Sequence, residues 1–255
     1  VIWQVRRETP GFNDNINIRY ASFLLSDAFA IKKRFNNMKN TPEFHAIHNV
    51  VDSEIFYPSK KNKISNLPIR IGFIGNLVPR KRPDWIIDVC IRLLKKNKNI
   101  ELYLIGADYS DNNYYTKKFT DIISKNNLSE KIKLLGYQKN IPELIRNFDI
   151  FTLTSIKGGE AFPCVIIEAM ASGLPIVSTD VAGVKEAVKN GVNGFLSDPD
   201  VFDDFYYNVH KLTENPKLRT LFGKESRNIY EKDFSLEKGI KKLKSYYLTI
   251  YQSDK

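Results

Sequence analysis

From residue 69 to residue 197, short apolar runs alternate with longer stretches whose apolar residues recur at helical spacing. Short apolar runs bounded by turn residues indicate buried strands, whereas a repeat of three and four residues indicates an amphipathic helix. The predicted strands cover residues 69–75, 101–106, 131–136, 149–154, 174–178 and 194–197. The predicted helices between them cover residues 84–96, 114–126, 141–147, 164–172 and 184–189. This alternation predicts a doubly wound α/β fold, in which helices cover both faces of a parallel sheet.

The predicted strands also locate the binding site. Ligands of doubly wound sheets bind in a crevice outside the carboxyl ends of the strands. Four predicted strands end at Gly75, Gly106, Gly136 and Thr154. The loops after these residues are therefore predicted to carry the site.

The two ends of the chain follow a different pattern. Residues 20–35 are predicted to form a helix, and residues 44–52 a strand and turn. A Lys-, Asn- and Ser-rich stretch over residues 59–66 then predicts a domain boundary. Residues 1–5 have the pattern of the middle of a strand, which favours a fragment of a longer polypeptide. Beyond Asp198 the pattern is helical, with predicted helices over residues 200–214, 216–230 and 236–251.

Composition narrows the range of partners. The chain has 39 basic and 29 acidic side chains, a formal net charge of +10 that favours anionic partners such as nucleotide phosphates, nucleic acid or acidic lipids. Most of these charges fit solvated helix faces, but Arg80, Lys81 and Arg82 are also placed to meet a phosphate. Cys90 and Cys164 lie in apolar runs without metal-ligand spacing, so both are predicted to be buried as free thiols. This use of cysteine fits a protein of the reducing cytosol.

Residues 158–177 are the most informative about chemistry. A glycine pair after a predicted strand allows the backbone to approach a ligand closely, and Glu160 follows it in the loop. A helix is predicted to begin at Pro163 or Cys164, since proline lacks the amide hydrogen that would be unpaired there. The amides of Cys164 and Val165 would then point outward at the positive end of the helix dipole, which suits a diphosphate.

Two carboxylates flank this predicted phosphate site. Glu168 lies about one turn into the helix, where it is placed to accept hydrogen bonds from ribose hydroxyls. Glu160 lies before the helix and is placed to reach a sugar on the β-phosphate. Two glutamates at this spacing are often exposed surface carboxylates, so the surrounding residues decide between the two interpretations.

The whole run resembles the signature of the family-4 retaining glycosyltransferases, which have the two-domain GT-B fold with Rossmann-like domains. In that family a Glu, seven residues and a second Glu precede an Ala-Met-Ala-x-Gly-x-Pro-Val/Ile-Val segment. The residues that match it are Glu160, Glu168, Ala169, Met170, Ala171, Gly173, Pro175, Ile176 and Val177. Further matches are residues 48–52 with Phe56 and Pro58, Gly136 with Tyr137, Gly183 with Glu186, and residues 191–196.

The resemblance implies transfer of a sugar from a nucleotide-sugar donor with retention of anomeric configuration, without a metal ion or other cofactor. It implies that Glu160 contacts the donor sugar at the catalytic centre and that Glu168 binds the ribose. The backbone from Phe162 and Pro163 through Cys164 and Val165 would hold the diphosphate and sugar hydroxyls. Gly136 and Tyr137 would lie near the base.

The family's basic element is matched only in part. Gly75 and Lys81 align with an element whose cations grip the diphosphate, but Asn76 stands where that element has Arg. Arg80, beside Lys81, is the candidate replacement. A charge-assisted phosphate contact is worth roughly 1.5–3 kcal/mol, so losing Lys81 should weaken donor binding substantially.

The resemblance implies that only the end of the family's acceptor-binding domain is present in these residues. Residues 1–58 are predicted to be a remnant of that domain and the linker, residues 59–235 the nucleotide-sugar domain, and residues 236–255 a helix that packs back toward the N-terminal part. The acceptor would be a glycan or a lipid-linked glycan, and a uridine-based donor is the commoner case in the family. No catalytic base is assigned, because the donor phosphate itself can accept the acceptor's proton.

Alternatives remain open at the level of sequence. The chain could be a GT-B nucleotide-sugar epimerase, or a non-catalytic sugar-nucleotide-binding module that needs a partner chain. Nucleic-acid binding has only the net charge in its favour, so no nucleic-acid partner is predicted. The lysines and tyrosines of residues 236–251 suggest contact with an acidic membrane, and we expect a cytoplasmic protein that is peripheral at the inner face of the membrane.

Overall fold

Two parallel sheets form the frame of the protein. The structure, a computed structural model, describes residues 2–5, 20–36, 41–59 and 67–253. In these residues the smaller sheet has strands β1 (Ile2–Val5), β2 (Phe23–Ser26) and β3 (Glu43–Ala46), in the order β1-β2-β3. The larger sheet has six strands in the order β6-β5-β4-β7-β8-β9, and every neighbouring pair is parallel.

Helices follow the strands of the larger sheet along the chain. The strands are β4 (Ile69–Ile74), β5 (Ile100–Ile105), β6 (Ile132–Gly136), β7 (Ile150–Leu153), β8 (Ile176–Thr179) and β9 (Gly194–Ser197). The helices are α1 (Pro83–Lys95), α2 (Tyr114–Lys125), α3 (Ile141–Ile145), α4 (Cys164–Ala171), α5 (Val184–Ala187), α6 (Phe202–Glu214), α7 (Pro216–Asp233) and α8 (Leu236–Ser253). The predicted doubly wound α/β fold is confirmed, with boundaries that differ by up to three residues from the predicted ones.

Alternation along the central strands divides the core into two apolar layers. Successive side chains of a strand point to opposite faces of the sheet. Accordingly, Phe151 and Ile176 pack into a layer with α4 and α7, whereas Ile150 and Val177 pack into a layer with α1 and α6. All residues of β7 and β8 are buried. Burial on both faces explains why apolar residues are consecutive in each strand, Ile150 with Phe151 and Ile176 with Val177, and do not alternate with polar ones.

The predicted helix over residues 20–35 is wrong. These residues form β2 and then a 3₁₀ helix over Phe29–Phe35. Because β2 lies between β1 and β3, its backbone pairs on both sides, and the side chains of Leu24 and Ser26 on one face of the sheet are buried. Ladder pairing on two edges thus outweighs the helical spacing of the apolar residues.

Two other predictions concern the burial of the cysteines and the position of the domain boundary. Cys90 is buried as predicted, but Cys164 is exposed because it occupies the first turn of α4. The predicted domain boundary falls largely on residues 60–66, which lie outside the described residues.

The last helix lies against the smaller sheet. The Tyr246 ring is 4.6 Å from the ring of His45 in β3. A side chain at Gly239 would come within 2.6 Å of Val50, so the helix backbone approaches this segment closely. Just before α8, Ser235 forms a parallel bridge with Val51. The C-terminal helix therefore packs against the N-terminal part of the chain.

Candidate active site

The order of the strands creates a switch point between β4 and β7. The chain proceeds outward from β4 through β5 to β6, and then returns to the other side of β4 for β7, β8 and β9. The loops after β4 and β7 therefore leave neighbouring strands in different directions. Such a divergence opens a crevice at the carboxyl ends of the strands, where ligands of this fold class bind.

Glycines line the carboxyl ends of the strands on one side of this point. The amide of Gly75 donates to the Ile105 carbonyl at 2.8 Å, and that of Gly106 donates to the Gly136 carbonyl at 2.9 Å. A side chain at Gly106 would lie 2.0 Å from the Gly75 carbonyl oxygen, and its φ of +157° also favours glycine. The close approach at this edge thus depends on the absence of a side chain.

An ion pair lies at the switch point itself. Lys81 Nζ, from the loop after β4, contacts Glu160 Oε1, from the loop after β7. The two side chains are only 12% and 9% exposed, so the pair is largely removed from water. Ser155 Oγ donates to the same carboxylate oxygen at 2.6 Å. Gly75 lies beside the Lys81 stem, since a Cβ there would be 3.6 Å from Lys81 Cδ.

The neighbouring arginines hold the two loops together. Arg80 Nη1 donates to the Gly159 carbonyl at 2.7 Å. Arg82 Nε and Nη2 donate to the carbonyls of Thr154 and Pro199 at 3.2 and 2.5 Å. Burial lowers the pKa of Arg82, which stacks 3.9 Å from the ring centre of Trp85. Arg82 was one of three cations predicted to suit a phosphate, but its guanidinium instead binds backbone carbonyls of the loops.

Helix α4 begins where the sequence predicted. Pro163 is the N-cap residue in an extended conformation, and Cys164 is the first helical residue. The Ile166 amide donates to the Pro163 carbonyl at 3.1 Å, and thereby starts the helical ladder. Since Pro163 has no N–H, the amides at this helix start are those of Cys164 and Val165. Cys164 is exposed, so the positive end of the helix dipole is accessible from solvent.

Residues from distant parts of the chain hold the segment before α4 in place. Phe162 and Pro163 are buried. The Phe162 carbonyl accepts a hydrogen bond from Asn49 Nδ2 at 2.9 Å, and the Ala161 carbonyl accepts one from the Gly183 amide at 2.8 Å. The backbone that leads from Glu160 into the helix is therefore held by two distant segments.

Glu168 lies one turn into α4, on the same face as Cys164. Burial raises the pKa of its carboxyl to about 7. Within the part of the chain that the structure describes, this carboxyl has no hydrogen-bond or ion-pair partner. A largely buried acid without a partner is suited to accept hydrogen bonds from a ligand's hydroxyl groups.

The remaining predicted residues lie farther out along the same edge. Asn76 follows Gly75, and its carbonyl accepts a hydrogen bond from the Val78 amide at 2.9 Å. Gly136 ends β6 with a φ of +63°, and the side chain of Tyr137 beyond it is 68% exposed. Since β6 is two strands from β4, these two residues lie about 10 Å across the sheet from Gly75.

Two polar residues support this site in a role that the sequence pattern did not indicate, although Thr154 was predicted to end a strand. Thr154 and Ser155 are both buried at the end of β7, where Ser155 donates to Glu160 and Thr154 Oγ1 lies 2.7 Å from the Lys81 carbonyl. A pair of polar residues directly after a buried strand was the available signal. In the described residues no cluster of three or more His, Cys, Asp or Glu side chains is placed to hold a metal ion.

Comparison with known proteins places the chain in a family. Residues 58–229 match the model for glycosyl transferases group 1. The chain therefore belongs to the glycosyl transferases group 1 family.

Individual relatives are similar over most of this chain. It is 29% identical to UDP-Gal:alpha-D-GlcNAc-diphosphoundecaprenol alpha-1,3-galactosyltransferase of Escherichia coli, over 80% of the chain and 54% of that protein. It is 30% identical to an uncharacterized glycosyltransferase of Methanocaldococcus jannaschii, over 83% of the chain and 54% of that protein. The chain thus spans about half the length of the curated relatives it matches.

A solved structure has the same fold. Anabaena HepE in complex with UDP superimposes with a TM-score of 0.84, at 21% identity, over 98% of this chain and 72% of HepE. At this identity the likeness concerns the fold alone. It covers the smaller sheet and α8 as well as the six-stranded sheet.

The pKa of Glu168 predicts a dependence of stability on pH. The pKa of Glu168 is raised from 4.5 to about 7 in the folded protein. The contribution of this carboxyl to the stability of the fold is therefore complete below pH 4.5 and is lost as the pH rises through 7. Relative to wild type, Glu168→Gln should raise the free energy of unfolding at pH 8 by an amount on the order of 2–3 kcal/mol, with little difference at pH 4. Urea unfolding at both pH values measures this, with exposed Glu130→Gln as the control. An equal effect of Glu168→Gln at both pH values would contradict a raised pKa.

Proposed function

We propose that this chain carries the donor site of a retaining glycosyltransferase. In the proposal, a sugar moves from a UDP-sugar to a glycan or lipid-linked acceptor, and the rest of a longer polypeptide binds the acceptor. The observation that carries it is the convergence of Lys81, Glu160 and the start of α4 at the switch point of the sheet. A cation and a helix N-terminus directed at one crevice suit a diphosphate.

The donor would lie along the carboxyl edge of the sheet. Its diphosphate contacts Lys81 and the amides of Cys164 and Val165. Its ribose hydroxyls donate to Glu168, whose carboxyl has a raised pKa and takes the charged form more readily with donors present. The base lies toward Tyr137, whose exposed ring offers a stacking surface. Arg80 is close enough to this loop to contribute charge, but its Nη1 already donates to a backbone carbonyl.

Sugar transfer in this site would depend on stabilising the negative charge that develops on the leaving diphosphate. As the bond between the sugar's anomeric carbon and the β-phosphate oxygen breaks, negative charge develops on the diphosphate. Lys81 and the helix N-terminus are positioned to stabilise that charge. Glu160 contacts the donor sugar and fixes its orientation, and the acceptor hydroxyl attacks from the same face while its proton passes to the departing phosphate. The proposal includes no metal ion, because these groups supply the positive charge.

The relatives support the choice of donor and acceptor. The E. coli relative is named for a UDP-Gal donor and a diphosphoundecaprenol-linked acceptor, and HepE was solved with UDP. Both names favour a uridine donor over a guanosine or adenosine one. The former also favours a lipid-linked acceptor.

Removing the Lys81 charge tests the donor site. Lys81→Met should weaken binding of UDP by about tenfold or more, because one charge-assisted phosphate contact is lost. Lys98→Met is the matched control, since Lys98 pairs with Glu214 at the opposite, amino edge of the sheet. Isothermal titration calorimetry with UDP, GDP and ADP gives the affinities and the base preference. Equal loss in both variants, or unchanged affinity in Lys81→Met, would refute the assignment.

We also propose that α8 contacts an acidic membrane. Among the described residues, no helix is both long and apolar enough to traverse a lipid bilayer. One face of α8 packs on the smaller sheet, and a partly exposed apolar stripe borders that face. Two residues of the stripe, Leu243 and Tyr247, also line a small apolar pocket against β2 and β3. The stripe comprises Leu236, Ile240, Leu243, Tyr247 and Tyr251.

The charges beside this stripe favour an anionic lipid surface as its occupant. Lys241 and Lys244 are exposed and follow the stripe around the helix on the side away from the sheet, whereas Lys238, also exposed, lies on the opposite side of the helix from the stripe. A helix with an apolar face bordered by lysines lies in the interface of a membrane that contains anionic lipid. Such an orientation would bring the enzyme to a lipid-linked acceptor.

Vesicle co-sedimentation tests the membrane contact. The protein should bind vesicles that contain phosphatidylglycerol, and salt should release it. Replacement of Lys238, Lys241 and Lys244 by Glu should abolish binding, whereas the same replacement of Lys217, Lys224 and Lys232 on α7 should not, although it changes the net charge equally. If the full-length polypeptide does not bind such vesicles, the stripe is covered by the rest of the protein and the proposal is wrong.

A further inference from the structure

One carboxylate outside the donor site connects three segments of the chain. Glu186, on α5, accepts hydrogen bonds from the amides of Phe29 and Ala30 at 2.9 and 2.8 Å. It also lies 2.7 Å from His48 Nε2. The Glu186 side chain is 16% exposed. Burial alone would raise its pKa, but the hydrogen bonds from His48 and from these two amides lower it.

The His48 ring connects Glu186 to residues 160–163, the segment between Glu160 and the start of α4. It lies 4.6 Å from the ring of Phe162, 5.4 Å from that of Phe234 and 5.8 Å from that of Phe29. The next residue, Asn49, donates to the Phe162 carbonyl at 2.9 Å. Phe162 is therefore held by its ring and by its backbone, and it lies two residues from Glu160.

The start of α5 leaves little room for these segments to move. A side chain at Gly183 would lie 2.6 Å from the Ala161 carbonyl oxygen and 2.7 Å from Ala28 Cβ. The Gly183 amide also donates to that same carbonyl at 2.8 Å. Residues 28–30, residues 48–49 and residues 161–162 thus converge on residues 183–186.

We propose that Glu186 is a positioning residue for the donor sugar, acting through His48 and Phe162 on Glu160. Its carboxylate already has three donors, so it orients protein groups rather than ligand. The inference rests on the proposed function, because it takes Glu160 as the residue that contacts the sugar. Helix α4 is also held by α7 and the sheet, so the phosphate contacts should depend less on Glu186 than the sugar contacts do.

The test compares the affinity for UDP with the affinity for a UDP-sugar. Calorimetry with UDP and with UDP-glucose, UDP-galactose and UDP-N-acetylglucosamine first identifies the UDP-sugar that binds most tightly. Glu186→Ala should weaken binding of that sugar nucleotide about tenfold, with binding of UDP within about twofold of wild type. Glu186→Gln keeps one acceptor oxygen and should recover part of the loss. Exposed Glu237→Ala, on α8, is the control.

A double-mutant cycle shows whether the effect passes through Glu160. If it does, Glu160→Ala with Glu186→Ala should bind the sugar nucleotide no more weakly than Glu160→Ala alone, because coupled residues are not additive. Additive losses, or equal losses for UDP and the UDP-sugar with a lowered melting temperature, would show a merely structural role and overturn the inference. Normal sugar-nucleotide binding by Glu160→Ala would instead refute the role of Glu160 in the proposed function. Loss in Glu160→Ala but not in Glu186→Ala would overturn the inference alone.

Discussion

The pairing of β4 with β7 is the constraint on which the site depends. These two parallel strands lie side by side at the centre of the sheet, although β5 and β6 separate them in the chain. Their loops diverge from one point, and Lys81 and Glu160 meet there in a largely buried ion pair. A buried charge is costly without a partner, so each of these side chains fixes the position of the other. The loop after β7, which carries Glu160, leads directly into the start of α4 at Cys164.

The smaller sheet and the C-terminal helix support this arrangement from the other side. Asn49 and His48 hold Phe162, Glu186 holds His48, and α8 packs on β3. Residues 160–163 therefore lie between the switch point of the larger sheet and the end of the N-terminal part. Their geometry depends on contacts with both.

Much of the larger sheet could be predicted from the sequence, because strands that are buried on both faces have consecutive apolar residues, as at Ile150–Phe151 in β7 and Ile176–Val177 in β8. Residues 20–35 could not, since pairing on both edges of β2 is invisible in a local pattern. The same limit applies to the site: the start of α4 is a local signal, whereas Lys81 and Glu160 are 79 residues apart and His48 and Glu186 are 138 apart. The family resemblance named Glu160, Glu168, Lys81 and Glu186, but only the folded chain brings Ser155 to Glu160 and His48 to Glu186.

A crystal structure of this chain with UDP would show whether the donor lies at the switch point of the sheet. We expect density for the diphosphate within hydrogen-bond distance of the Val165 amide and of Lys81 Nζ, with the ribose hydroxyls at the Glu168 carboxylate. The opposite, amino edge of the sheet has a groove of about 860 Å³ that Arg70, Lys98 and Arg219 help to line. Density for the diphosphate in that groove, with the crevice between β4 and β7 empty, would contradict the account.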